Sequence, residues 1–199
     1  MILTRYAGIL TPRKAITNYN LLTKTQRFDD AAWVKSLASI TANAVTDPFG
    51  GMNADKFVET ATTGEHVMYQ LDGATANGPF VGSIYAKAAE RTYAGLLMSD
   101  FATGAVGAIV NLSDGTYVEF GSPGSWTSRT VAVTNEGSGW WRMVAKGTRG
   151  AGTYTVIQCF LYPSSTHDVN YLGIADNGYY VFGAHLETGS TDHGYQEVN

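Results

Sequence analysis

Apolar and polar residues alternate with a period of two through much of the chain, most cleanly over residues 178–186. There the pattern sets Tyr180, Phe182, Ala184 and Leu186 on one face and Tyr179, Val181, Gly183 and His185 on the other, as a half-buried strand requires. The run ends at Glu187 and Gly189, which favour turns over strands. Strand signals also cover 80–88, 93–98, 106–112, 116–120, 129–134, 139–146 and 153–162. Between them lie Asp72-Gly73, Asn77-Gly78-Pro79, Ser113-Asp114-Gly115, Ser122-Pro123-Gly124 and Asn177-Gly178, where Asn, Asp and Gly reach positive φ at little cost. Asp114-Gly115 marks the clearest hairpin. Eight or more short strands spaced in this way predict an all-β fold, an antiparallel jelly-roll β-sandwich. One short helical turn is expected over 29–36, with Asp29 or Asp30 as N-cap and Trp33 pointing inward. No fixed-period repeat or heptad pattern appears, which sets solenoids and coiled coils aside.

Two stretches do not follow the simple alternation. In 139–146 a period of two groups Trp141, Met143 and Ala145 opposite Trp140, Arg142 and Lys146, and the pattern alone leaves open which Trp faces the core. Residues 1–20 hold Ile2, Leu3, Tyr6, Ile9, Leu10 and Ile16 with Pro12 and three cations, in neither helical nor strand periodicity. They predict an extended N-terminal arm whose apolar groups need a partner surface, the alternative being an edge strand folded onto the chain's own sandwich. The division expected is an attachment arm over 1–19 and one sandwich domain over 20–199.

Charge sharpens this division. The net charge is −4, yet residues 1–20 carry Arg5, Arg13 and Lys14 and no acid, so the remainder holds 10 basic and 17 acidic residues, a net of −7. Such a body repels phosphate backbones and argues against nucleic acid as a partner. The 23 glycines and 15% charged residues suit short strands and tight turns. Cys159 is the only cysteine, so an intrachain disulfide and a cysteine metal cage are excluded, and its place in the 153–162 run predicts a small buried side chain. No apolar run approaches the roughly 18 to 20 residues that cross a bilayer as a helix, and the N-terminus lacks a signal-like block, so no membrane partner and synthesis in a cytoplasm are expected.

Catalytic chemistry finds no support. His185-Leu186-Glu187 matches the His-x-Glu of zinc deaminases, but the Pro-Cys-x-x-Cys that completes the metal shell is missing. His66, His167, His185 and His193 lack metal-ligand spacing, Gly137-x-Gly139 lacks the third glycine of a nucleotide loop, and Ser125 has no recognisable base. No enzyme activity and no cofactor are expected. Aromatic side chains are plentiful in the C-terminal half, and a ring exposed beside polar groups can stack on a sugar. Trp126 and Tyr171, near Ser125, Arg129, Asp168 and Asn170, are the candidate glycan contacts, with weak affinity on the millimolar scale.

One further pattern is the order of particular residues along the chain. Asn20-Leu21-Leu22, Phe28-Asp29 with Trp33 and Lys35, Asn43, Pro48, Gly51, Ala54-Asp55-Lys56, His66 and Gln70 come first. Tyr85-Ala86-Lys87-Ala88, Gly137-x-Gly139-Trp140-Trp141-Arg142, Gly183-Ala184-x-Leu186-Glu187-x-Gly189 and Tyr195 follow. This set resembles the carbohydrate-binding-module-like jelly-roll domains of tailed-bacteriophage virion proteins, over roughly residues 20 to 197. It departs from them at His185, where Gln is usual, and at Trp141, where Tyr is usual. The resemblance implies a virion structural protein made in the host cytoplasm, since such domains occur in tail fibres, receptor-binding tips and head decorations. A chain this short with a basic, apolar arm is expected to be a capsid decoration or cement protein or a short surface appendage. Its partners would be the major capsid or other virion proteins, and it would itself assemble as a homo-oligomer, a trimer. Ile2, Leu3, Arg5, Tyr6, Ile9, Leu10, Arg13 and Lys14 are the candidate attachment residues. The alternative is a tail-fibre or receptor-binding module recognising host glycans. The resemblance also makes Asp55, Asp114, Asp176 and Glu187 weak candidates for structural calcium.

Overall fold

A computed structural model describes residues 19–73 and 76–199. Among the described residues there are fourteen strands and no helix, and hence none long and apolar enough to cross a membrane. The first six-stranded sheet orders β1 (Val34–Ser36), β5 (Val67–Leu71), β12 (Val156–Tyr162), β7 (Tyr93–Ser99), β8 (Ala105–Asn111) and β9 (Tyr117–Phe120). The second orders β10 (Trp126–Gly137), β11 (Trp140–Arg149), β6 (Gly78–Ala88), β14 (Gly178–Thr188), β3 (Ala54–Glu59) and β2 (Ala38–Val45). A small ribbon pairs β13 (Tyr171–Leu172) with β4 (Thr63–Gly64). All pairings are antiparallel, and the chain crosses directly between the two large sheets at β1–β2, β5–β6, β6–β7, β9–β10 and β11–β12. The result is the expected antiparallel jelly-roll sandwich.

The main core lies between the sheets. Met68, Leu96, Met98, Val110, Ile157, Cys159 and Leu161 from the first sheet meet Phe57, Phe80, Ile84, Met143, Ala145, Tyr179, Val181 and Leu186 from the second. Cys159 is wholly buried, and burial pushes its thiol pKa far up, so it packs as a small apolar group.

The strict alternation expected of β14 is broken once, and with consequence. Its pairing with β6 shifts register between Phe182 and His185, where Gly183 stands at φ +63°. A Cβ there would sit 3.2 Å from Tyr85 Cδ2 and 3.3 Å from Tyr195. The bulge flips the phase of the strand. Tyr179 and Val181 before it, and Ala184 and Leu186 after it, all enter the main core, whereas Phe182 joins Ala54, Tyr85 and Trp140 in a cluster on the outer side of the second sheet.

The tryptophan pair resolves along its period of two. Trp141 packs against the main core with Met143 and Ala145, its Nε1 donating to the Leu112 carbonyl at 2.9 Å. It covers the β8–β9 turn so closely that Gly115, at φ +77°, has no room for a Cβ. Trp140 is the more deeply buried of the two, on the outer side at 1% exposed, and donates to the Thr46 carbonyl at 3.3 Å.

The helical turn expected over 29–36 does not form. Asp30 Oδ1 accepts from the Ala32 amide at 2.9 Å, the Trp33 amide closes onto the Asp30 carbonyl at 3.1 Å, and the chain then extends into β1. An Asp that bonds the backbone two residues on makes a turn in the same sequence context as an N-cap. Trp33 still points inward, 1% exposed, with its Nε1 on the Lys24 carbonyl.

Candidate functional site

The residues of the ordered motif set are spent on holding the fold. Asn20 Nδ2 donates to the Ala184 and Gln196 carbonyls at 2.9 and 2.8 Å while its Oδ1 accepts from the Leu186 amide, which fastens residues 20 and 196 beside β14. Lys35 Nζ caps the carbonyls of Phe28, Asp29 and Asp30, and Gln70 accepts from the Thr23 amide at 2.7 Å. Asp55, 1% exposed, accepts from the amides of Phe28 and Asn43 at 3.0 and 2.8 Å. Burial raises its pKa to about 6 against the opposing pull of those two amides.

The C-terminal segment crosses the outer face of the second sheet over a charged network. Arg142 grips Asp192 through two bonds of 2.7 Å and donates to Ser83 Oγ at 3.0 Å, with its guanidinium over the Tyr85 ring. The Arg142 hydrogen bond, against the cost of burial, holds the Asp192 carboxyl down at about 2. Glu187, with no exposed surface, accepts from the His193 amide at 2.9 Å and from His193 Nδ1 at 2.6 Å. Tyr19 stacks on the His193 ring at 4.0 Å. His185 approaches Glu187 Oε1 at 3.3 Å without hydrogen-bond geometry, and burial lowers its pKa. These side chains pack beneath a covering segment.

The predicted site residues scatter. Ile2, Leu3, Arg5, Tyr6, Ile9, Leu10, Arg13 and Lys14 lie outside the described residues. Trp126 is 2% exposed, with Nε1 donating to Asp100 Oδ2 at 3.3 Å, so it offers no face to a sugar. Tyr171 is corrected likewise: its hydroxyl donates to buried Glu59 at 2.6 Å, beside the Arg91–Glu59 ion pair, and pins the β13 ribbon. The four calcium candidates do not converge. Asp55 and Glu187 are occupied as described, Asp114 closes an exposed turn onto Thr116 in the β8–β9 hairpin, and Asp176 sits at φ +68° in the turn before β14. No group of three or more His, Cys, Asp or Glu side chains able to hold a metal occurs among the described residues.

The surface feature the sequence did not disclose is a groove at the end of β7 on the outer side of the first sheet. It encloses about 280 Å3 and is lined by Leu97, Ser99, Phe101, Ala105, Ser122 and Gln158 among others. Phe101 is 51% exposed and stands at φ +60°, a backbone region that costs a bulky side chain strain. Asp100 forces this. Its buried Oδ1 accepts from the amides of Ala102, Thr103 and Gly104, and its Oδ2 takes the Trp126 indole and the Thr103 hydroxyl. Burial would raise the Asp100 pKa, but the bonds from Thr103, Ala102 and Trp126 hold it below the usual range. The Phe101 ring stands edge-on to Tyr69 at 5.3 Å. Gln158 Oε1 accepts from Ser99 Oγ at 2.8 Å, which leaves its Nε2 without a partner among the described residues. A second, more polar cleft runs between Arg27, Asp29, Asn43, Asn53 and Glu197. The sequence signal for the groove was small: an aromatic residue directly after Asp100, in a loop ending at Thr103-Gly104.

Fold and surface together define an antiparallel all-β sandwich, its interior closed and its concavities on the outer faces. No family model matches the chain, and no curated protein matches it. Among solved structures it is similar to a carbohydrate-binding module, TmCBM61, in complex with β-1,4-galactotriose, with 14% identity and a TM-score of 0.38 over 74% of this chain and 100% of that one.

Proposed function

We propose that the protein is a non-enzymatic structural protein of a tailed-bacteriophage virion, a capsid decoration or cement protein or a short surface appendage, fixed to the particle by residues 1–19 and assembled as a homotrimer. The observation that carries this reading is where the motif residues fall. Asn20, Trp33, Lys35, Asp55, Gln70, Trp140, Arg142 and Glu187, through which the chain resembles phage virion domains, are the residues that close and brace the sandwich. A shared set of bracing residues describes a scaffold, whose task is carried by its surface. The reading is tested by the copy number in purified particles. On the order of hundreds of copies places the protein on the capsid, and on the order of ten places it on a tail or fibre. Absence from particles overturns the proposal. Deleting residues 1–18 should leave a cooperatively folding sandwich that no longer binds particles. A receptor-recognition role is favoured by one observation, the groove beside Phe101.

A further inference from the structure

We infer that the groove beside Phe101 is a binding site for a neutral pyranose sugar. This rests on the reading of the chain as a non-catalytic surface protein and is independent of its position on a particle. The first reason is the state of Phe101. The phenyl ring makes edge contacts with Tyr69 and Tyr154 at 5.3 and 6.3 Å, yet half of it stays exposed, at a φ of +60° that strains a bulky side chain, so an open ring face is held at the groove at a cost in backbone strain. Asp100, through the amides of Ala102, Thr103 and Gly104, holds the loop rigid, so the ring is presented in a fixed place before any ligand arrives.

The second reason is the polar complement of the groove. Ser99 and Gln158 are 4% and 7% exposed, and the Ser99 bond to Gln158 Oε1 orients the amide so that Nε2, which is not sealed from solvent, can donate to a ligand in the groove. An apolar ring face beside an oriented amide donor is the pairing a hexose needs: its C–H face lies on the aromatic ring and a hydroxyl oxygen accepts from the amide. The lining contains no charged side chain, which disfavours sialic or uronic acids and phosphorylated sugars. The volume, about 280 Å3, lies just below the roughly 300 Å3 at which pockets for larger ligands begin, so it accommodates one sugar unit and leaves the rest of a glycan outside.

The test is a titration of the full-length protein, followed by 15N-resolved NMR, with methyl β-galactoside, methyl β-glucoside and N-acetylglucosamine, and with N-acetylneuraminic acid as the anionic comparison. At least one neutral sugar should shift resonances of 99–105 and the Gln158 side chain, with a Kd of about 1 mM. Phe101→Gly removes the ring and the strain together. It should weaken that binding about tenfold or more while the chain still unfolds cooperatively. Phe101→Asn, which tolerates the same backbone region, is the second variant should the glycine loosen the loop. Shifts elsewhere on the sandwich, equal or tighter binding of the anionic sugar, affinity retained in both variants, or no response to any neutral sugar each overturns the assignment. Particle copy number is unaffected by these outcomes, so the virion reading stands or falls separately.

Discussion

Replacing Asp192 by Asn should cost about 2 kcal/mol at neutral pH, and that cost should disappear in acid. The carboxylate receives two 2.7 Å bonds from Arg142 and one of 3.0 Å from the Gly194 amide. Its pKa falls from 3.8 to about 2 in the folded chain. At about 1.4 kcal/mol per pKa unit, this difference corresponds to roughly 2.4 kcal/mol of stability. The Arg142 and Asp192 side chains are 14% and 19% exposed, so solvent screens the pair only in part and about 2 kcal/mol survives. For a domain of this size that is a fall of about 4–8 °C in Tm. Because the folded pKa is depressed, the stabilisation is complete above the unfolded value of 3.8 and is lost as pH falls through about 2. Urea unfolding followed by tryptophan fluorescence, on wild type and Asp192→Asn between pH 7 and pH 2, reads both quantities. The two proteins should differ by about 2 kcal/mol at pH 7 and converge near pH 2. Amide exchange over 189–199 separates local release of the C-terminal segment from global unfolding. A gap that stays constant across the pH range, or one below about 0.5 kcal/mol at pH 7 with unchanged exchange, refutes the assignment of this pair as the clasp of the segment.

Other substitutions probe the core and the turns. Trp33→Ala and Trp126→Ala should each lose about 3–5 kcal/mol in chemical denaturation, because both rings are at most 2% exposed; a neutral result for either would show that its ring is not a core anchor. Gly115→Ala should lower Tm through both the positive φ and the collision with Trp141, and Trp141→Ala in the same chain should relieve part of that loss. Gly183→Val should destabilise by about 1–3 kcal/mol and shift resonances of Tyr85 and Tyr195 across the bulge, whereas an unperturbed spectrum would mean the β14 register tolerates a side chain there.

Much of the sandwich was legible because its cues are local. The period of two, the Asp114-Gly115 turn and the placing of Cys159 and Trp33 depend on neighbours a few residues away, and the structure has them as the pattern implies. β3 escaped detection because it is buried on both faces, so Asp55 and Glu59 stand where an alternating pattern calls for apolar groups and are satisfied by amides, Arg91 and Tyr171 from distant segments. Asp30 suited a helix cap and a turn equally, and the extension into β1 beside β5 settled the matter. The direction of Trp126 and Tyr171 could not be read from composition, since an aromatic ring in a polar loop looks the same whether it faces water or a buried carboxylate such as Asp100 or Glu59. The phase of β14 was set by a bulge whose need arises only when Tyr85 and Tyr195 close over Gly183. Sequence by itself determined the fold class, the turns and the absence of a disulfide. Tertiary structure decided which polar groups are satisfied and which aromatic rings remain in water, because burial is a property of pairs of segments far apart in the chain.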